Sequence, residues 1–460
     1  MKKLDLLAWI ITALFVATSA IQAQTVNVSK QIEERTGHGL KSDLKPEAKT
    51  SGLALPVGVS QDDGLTEDEA VAIALWNNPT LQADLTALGL ARADVIEAGQ
   101  LKNPNLTLVF PFSFRVFEAL ALWPFDAIWQ RPHRVTAAKL EQDRLSQSLV
   151  TNALDLVRDV RLAYADHSLA QLRSQVATQV SRERGEIAVI VSAQFRAGEI
   201  SELETNASRV EAKLAEEQAA RLGYEITTAK DRLRSLLGFK PNDPAFNINQ
   251  TTGPTAAQET NRAVAINASN SASADPLGEL LKQAFDARPE LKAAEFAIEA
   301  AGQRAKWERS KILAVSAIAK EYGKGVNGFE QGPGFLIDLP IFHRNQGAIS
   351  RAEAEIERAA KQLIAARHRI ALEVQQAYTQ LEQANESLRQ WRSNVLPQIE
   401  QEVWLAGKSY SAGDVPYLFA LQITQRLTDA RLREVEFQAA LARAKAQLER
   451  SVGRRLIANR

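Results

Sequence analysis

Apolar positions along this chain keep a three-and-four spacing over unusually long stretches. From about Ala348 to Ala412, the residues Val374, Ala377, Leu381, Ala384, Leu388, Trp391 and Val395 hold that spacing, and only Pro397 interrupts it. Earlier in the chain, Leu162, Leu169 and Val176 keep a seven-residue step with Ala165 and Leu172 between them. About 60 residues of helix extend roughly 90 Å at 1.5 Å per residue, so each rod predicts neighbours of similar length. Each long run ends at a glycine suited to a left-handed cap, Gly198 or Gly413, and a second helix then runs to Gly238 or Gly453. Four long helices in two hairpins are predicted. Pairs such as Glu357 with Lys361 and Asp429 with Arg433 support their exposed faces, and most of the charge reads as solvated helix surface.

Alternation marks the strands. Asn105 to Phe112 places Leu106, Leu108, Phe110 and Phe112 on one face, and Phe114 to Trp123 follows at once. In the second half, Leu313 to Tyr322 alternates Leu313, Val315, Ala317 and Ala319 against Ala314, Ser316, Ile318 and Lys320. Phe335 to Leu339 alternates Phe335, Ile337 and Leu339 against Leu336 and Asp338, and the two pairs close at Pro124 and Pro340. These lengths suit tilted bilayer-spanning strands, and they suit an ordinary soluble hairpin too. Four strands alone cannot close a barrel, so a membrane reading requires an oligomer. Arg115 and Glu118 would then need a luminal or rim position.

The two halves are one unit written twice. Glu69, Ala74, Pro79, Leu81, Ala83, Ala87 and Ala91 recur 210 positions later as Glu279, Ala284, Pro289, Leu291, Ala293, Ala297 and Ala301. The offset then drifts to 214 or 215: Ala163 and Tyr164 match Ala377 and Tyr378, and Ala197 and Gly198 match Ala412 and Gly413. Ala229, Lys230, Leu233 and Gly238 match Ala444, Lys445, Leu448 and Gly453. A loop of different length is expected to change the offset, and the glycine-rich stretch Gly323 to Gly334 is the visible one. The period is far too long for a solenoid. The expected organisation is a signal peptide at 1–23, an extended or poorly ordered arm at 24–64, a first repeat at 65–245, a linker at 246–275, a second repeat at 276–453 and a tail at 454–460. Within the repeats, strands fall at about 105–123 and 312–339, and hairpins at about 132–238 and 346–452. Thr66 with Glu69 has capping-box spacing at the first helix.

Lys2 and Lys3, the apolar run Leu6 to Ala17 and the small residues before Ala23 read as a secretory leader, with Asp5 an unusual guest. No later window is apolar enough for a transmembrane helix, so bilayer entry would require closed β-structure. With 55 basic and 55 acidic side chains, the chain carries no net field to attract nucleic acid. Zero Cys excludes disulfides, thiolate chemistry, iron–sulfur clusters and a lipid-modified cysteine, and a single Met excludes a thioether path for a soft metal. No catalytic residue, cofactor or resident metal is expected.

Together the leader, duplication, paired strands and paired hairpins resemble the TolC-like outer-membrane efflux proteins. Leu75-Trp76-Asn77-Asn78-Pro79-Thr80-Leu81 resembles that family's early helix motif, and Leu339-Pro340-Ile341-Phe342-His343-Arg344-Asn345-Gln346-Gly347 its second strand-to-helix signature. Phe195-Arg196-Ala197-Gly198-Glu199-Ile200-Ser201 and Tyr410-Ser411-Ala412-Gly413 resemble its hairpin tips. The likeness runs from about Thr66 to Gly453. It implies a mainly α protein with membrane β, a tandem-duplicated protomer of long periplasmic coiled-coil hairpins. Four strands per chain would complete a twelve-stranded homotrimeric β-barrel. The implied role is the outer-membrane exit duct of a tripartite pump, a passive tunnel for small molecules or metal ions in a Gram-negative outer membrane, mostly periplasmic. Its partners would be a periplasmic adaptor, an inner-membrane transporter and outer-membrane lipid, with no nucleic acid. A polypeptide-secretion duct of the same fold, or a periplasmic adaptor, are the other readings.

Carried over residue by residue, Arg196, Gly198, Glu199, Ser201, Tyr410, Gly413 and Asp414 would form the adaptor-docking tips. Family members often hold acidic gate residues six and nine positions after the second tip glycine. Here those positions are Phe419 and Gln422, while Glu204 and Ala207 stand in the first copy. Glu202, Glu204, Phe419 and Gln422 are therefore the candidate gate, with Glu199 and Asp414 also in reach. An enzyme reading rests on Gly323-Lys324-Gly325-Val326-Asn327-Gly328, but Phe329 to Gly334 follow where a helix would be needed, so the motif reads as a hairpin loop. His38, His133, His167, His343 and His368 have no ligand or triad spacing.

Overall fold

The computed structural model describes residues 28–40, 55–56, 64–110, 118–240, 248, 275–323, 329–412, 414–415 and 417–456. The expected leader, Arg115, Gly413 and nearly all of the linker lie outside the described residues. Two compact units divide the chain, one comprising Met1–Gln82, Asn152–Ala287 and Ile370–Arg460, the other Ala83–Thr151 and Arg288–Arg369.

The second unit holds the sheet. Strands β1 (Asn105–Val109), β2 (Glu118–Pro124), β3 (Ala314–Gly323) and β4 (Phe329–Asp338) pair antiparallel in the order β1-β2-β3-β4. The central pairing joins the two copies, with Ala121 opposite Ala319 and Leu122 opposite Ile318. No described strand covers the outer edge of β1 or of β4. Glu118 sits opposite Tyr322 in the ladder and its carboxylate lies 3.5 Å from Lys320 Nζ, so the charge is matched within the sheet. Leu106, Leu108, Phe335 and Ile337 are exposed.

Two expectations change here. β4 begins at Phe329, six residues before the expected Phe335, and most of Gly323–Gly334 is strand rather than loop. Gly332, Pro333 and Gly334 pair with Lys320, Ala319 and Ile318. Glycine and proline are punctuators by propensity, but an edge strand tolerates them. The first hairpin helix also begins earlier than 132, at Asp126. Asp126 suits a helix start and accepts from Gln130 Nε2 at 3.1 Å. Pro132 costs one intrahelical bond near that start and does not break the helix.

The other described elements of the two units are helices. Continuing the chain order, α1 spans 28–36, α2 Glu67–Asn77, α3 Pro79–Gly99, α4 Asp126–Arg196 and α5 Glu202–Leu237. The second copy has α6 (Pro276–Ala287), α7 (Pro289–Ser310), α8 (Gln346–Gln390), α9 (Leu396–Ser411) and α10 (Tyr417–Val452). The arm is thus not wholly extended. Val28 and Ile32 of α1 are buried, Trp76 Nε1 donates to Gly39 O at 3.0 Å, and Arg35 Nη2 donates to Ala287 O at 3.1 Å. Too few apolar residues stand in that segment to show a period, and tertiary contacts supply the order instead.

Between α8 and α9 the helix passes through a π-turn, Trp391–Val395. A π-turn inserts one residue without ending the helix. The duplication offset is 214 before it, at Tyr164 and Tyr378, and 215 after it, at Ala197 and Ala412. That last step, of one residue, falls at an insertion inside a helix, separate from the earlier change from 210 to 214. Pro397, which has no N–H to donate, follows directly at the second position of α9. Ala377, Leu381, Ala384 and Leu388 of α8 pack on Leu441, Ala444, Leu448 and Val452 of α10.

Helices of different copies meet through charge. Arg161 of α4 pairs with Glu449 of α10; Asp166 lies 2.6 Å from Arg443, Arg173 2.5 Å from Glu436, and Asp155 2.7 Å from Arg450. Signs alternate down each helix. Arg161 is 7 % exposed and also reaches Glu67 at 3.2 Å and Asp68 at 3.9 Å. Burial pushes both its guanidinium and the Lys445 ammonium below their usual values. His38, with Nε2 at 3.8 Å from Asp68, together with Arg455 and Arg161 holds the Asp68 carboxyl well below the usual carboxylate range, against the opposing push of burial.

Glycine ends each hairpin's second helix in the same way. Gly238 and Gly453 have φ of 81° and 82°. Phe239 N donates to Arg234 O at 3.0 Å and Arg454 N to Glu449 O at 3.2 Å, equivalent bonds 215 residues apart. A Cβ on Gly238 would lie 2.3 Å from Asn77 O, whereas one on Gly198 meets nothing within 4 Å. Replacing Gly198 by Ala is expected to cost about 1 kcal/mol through positive φ alone, with Gly238→Ala costing several-fold more, as read by thermal unfolding in detergent. Asp68 contributes stability that is complete above the unfolded carboxylate value of about 4 and is lost as pH falls below it. Asp68→Asn should therefore flatten the acid limb of the Tm profile below pH 4.

Candidate functional site

The first hairpin tip is built by its own backbone. α4 ends at Arg196, Gly198 takes φ 78°, and Glu199 N donates back to Gln194 O at 3.0 Å. Ser201 then caps α5: its hydroxyl accepts from Glu204 N at 3.3 Å, and Glu204 Oε2 accepts from Ser201 N at 3.1 Å. Arg196 Nε donates to Ser192 O at 3.3 Å. Glu199 and Glu202 are exposed, as are Phe195 and Leu203.

The second tip repeats this turn. Ala412 N donates to Lys408 O at 3.1 Å and Asp414 N to Ser409 O at 2.9 Å, which are the Ala197-to-Ala193 and Glu199-to-Gln194 bonds displaced by 215 residues. Tyr410 and Asp414 are exposed. The start of the following helix differs. By the same offset Ser201 becomes Pro416 and Glu204 becomes Phe419, so the side-chain cap is absent from the second copy and Phe419 is 46 % exposed. Gln422 lies one turn on, also exposed. Of the candidate gate residues, Glu204 is committed to its own helix start and Glu202 points to solvent. Gln425 Nε2 donates to Glu211 Oε2 at 2.8 Å, joining α10 to α5. Among the described residues no group of three or more His, Asp or Glu side chains could hold a metal ion.

Two motifs that drew attention in the sequence turn out to position the framework. Asn78 Oδ1 accepts from Thr80 N and Leu81 N at 3.0 and 3.1 Å, capping α3, while its Nδ2 donates to Leu236 O at 2.9 Å. Asn345, at φ 57°, donates from Nδ2 to Glu308 O at 2.9 Å, fixing the turn from β4 into α8. The charge pairing of α4 with α10 was missed, and alternating signs at five-to-seven-residue steps on α4 were its available signal.

Residues 280–454 match the family described as outer membrane efflux protein. The cobalt-zinc-cadmium resistance protein CzcC of Cupriavidus metallidurans is 26 % identical over 396 residues, 85 % of this chain and 90 % of that protein. The match to that family's model lies in the second copy alone. The chain's fold matches the crystal structure of CusC with a TM-score of 0.70 at 18 % identity, over 84 % of this chain and 92 % of that one. It also matches the outer membrane protein VceC of Vibrio cholerae with a TM-score of 0.67 at 17 % identity, over 85 % and 97 %. These matches extend across both copies.

The capping box predicts a local effect. Ser201→Ala is expected to cost about 1 kcal/mol at the start of α5, measured as faster amide exchange over residues 202–206, with the equivalent stretch after Pro416 unchanged.

Proposed function

We propose that this chain is an outer membrane efflux protein, mostly periplasmic in a Gram-negative cell, and the exit duct of a tripartite pump in which three copies each contribute four strands to a twelve-stranded barrel. The observation that carries this reading is the sheet. It is assembled from both copies by the β2–β3 pairing and leaves two outer edges uncovered among the described residues. Uncovered edges in a bilayer leave backbone groups unsatisfied, and a ring of copies satisfies them without any added segment. Lipid would bear on the exposed apolar strand residues. Cargo would move passively, with no bond made or broken.

Under this reading the two tips dock a periplasmic adaptor that is itself bound to an inner-membrane transporter. Arg196, Gly198, Glu199, Ser201, Tyr410 and Asp414 lie on the tip turns, and Gly413, outside the described residues, belongs with them by sequence. Glu202, Glu204, Phe419 and Gln422 follow on the helices that would narrow the tunnel. Divalent transition-metal cations are the cargo to test first, because the related CzcC is a cobalt-zinc-cadmium resistance protein. Loss of this chain should lower resistance to such cations severalfold in a host carrying the cognate pump. Reversing the exposed tip charges, Glu199→Lys with Asp414→Lys, should reproduce that loss while the protein remains in the outer membrane at its normal level. Full resistance in the double variant would remove the tips from the docking role.

A further inference from the structure

The duplication makes one helix interface predict another. Inside the chain, the first helix of copy one, α4, packs on the second helix of copy two, α10. The equivalent contact places the first helix of copy two, α8, on the second helix of copy one, α5. α4 already turns back on α5 as a hairpin, and α8 does the same on α10. The remaining contact therefore falls between chains, and it closes a ring.

The charges at these two interfaces differ. Within the chain the three pairs beyond Asp155 with Arg450, whose equivalent is Arg369 with Ser235, are Arg161 with Glu449, Asp166 with Arg443, and Arg173 with Glu436. Moving 214 residues along α4 and 215 back along α10 gives Gln375 with Arg234, Gln380 with Thr228, and Ser387 with Arg221. Every acid of the first set has gone. Gln375, Gln380, Thr228 and Arg221 are exposed, and Gln380 and Ser387 line an open groove of about 550 Å³ shared with Leu162 of α4 and with Ala440, Arg443 and Ala444 of α10.

We propose that these substitutions sort the helices: an alternating charge code joins α4 to α10 within a chain, and an amide and hydroxyl face on α8 receives α5 of a second copy. The wrong pairing is penalised. If α4 met α5 of another copy, Arg161 would oppose Arg234 and Arg173 would oppose Arg221, two like-charge contacts where the correct partner offers two carboxylates. Uncharged polar side chains on α8 avoid that conflict, and Arg221 keeps an ion pair on its own helix, with Glu225 at 3.1 Å. The inference rests on the oligomeric duct reading and adds to it the surfaces used and the residues that choose them.

The natural absence of Cys allows a direct test. Gln380→Cys with Thr228→Cys, treated in outer-membrane fractions with a short bis-maleimide, should give covalent dimers and trimers on denaturing gels. Adding Arg221→Glu with Arg234→Glu makes α5 resemble α10, and cross-linked yield should fall severalfold as α4 and α8 compete for it. The neutral Arg221→Gln with Arg234→Gln pair should keep the parental yield. Monomer mobility alone, in a protein still trimeric by mass measurement in detergent, would overturn the assigned surface while sparing the duct. Equal yields in the glutamate and glutamine backgrounds, or a loss shared by both, would overturn the charge code. A monomeric parent would overturn the duct reading as well.

Discussion

Everything in the helical unit depends on the register between α4 and α10. These helices belong to different copies and are far apart in sequence, so no turn fixes their alignment. Alternating charge does. Arg161, Asp166 and Arg173 face Glu449, Arg443 and Glu436 in antiparallel order. Sliding α10 by about one and a half to two turns would set Arg161 against Arg443 and Asp166 against Glu436. Exposed ion pairs contribute little individually, but Arg161 and Glu449 are buried, and a misaligned buried charge costs several kcal/mol. The apolar seam alone could not choose. Ala and Leu at heptad spacing pack almost as well one heptad away, so the charges remove an ambiguity that a repetitive seam creates.

The strands join the copies as well. β2 follows the first copy's helix α3 and leads into α4, and β3 sits between α7 and β4, so the pairing of Ala121 with Ala319 joins the copies a second time. One joint is made of side-chain charge, the other of backbone hydrogen bonds. A chain so joined still leaves strand edges and large apolar side chains such as Tyr224, Trp404 and Phe342 uncovered. For an isolated soluble protein these would be liabilities. They are consistent with a protomer whose remaining surfaces are completed by lipid and by further copies.

Much of this was legible in the sequence because it is written in periodicity. The seam Ala377, Leu381, Ala384, Leu388 is a spacing, the Thr66–Glu69 and Ser201–Glu204 caps are local chemistry, and Gly198 and Gly238 are required by positive φ. What escaped was long-range or masked by propensity. Helix α1 and the residues just after it are ordered by Trp76, Ala287 and Arg455, residues that a local window does not contain. β4 was read five residues long and has ten because Pro333 and two glycines look like a turn until a partner strand is beside them. The π-turn at Trp391–Val395 had left a trace, a one-residue change in the duplication offset. An offset change reads most simply as a loop, and only a continuous helix on both sides assigns it otherwise.

The tips show how one substitution alters two properties at once. In copy one, Ser201 and Glu204 satisfy each other's backbone donors, so the carboxylate is held at the helix start. In copy two the cap serine is Pro416, which has no side-chain acceptor, and a glutamate three residues later would have no capping partner. Phe419 occupies that place and is exposed. The loss of a cap and the gain of an exposed aromatic side chain are thus a single event in the sequence. A ring of three such tips would present alternating character at its narrow end, with carboxylates tied to backbone in one copy and an apolar ring edge in the other. Charge at that constriction would be weaker than a count of nearby acids suggests. Passage would then depend more on the width between the Phe419 side chains, and on whether water wets them, than on a fixed anionic site.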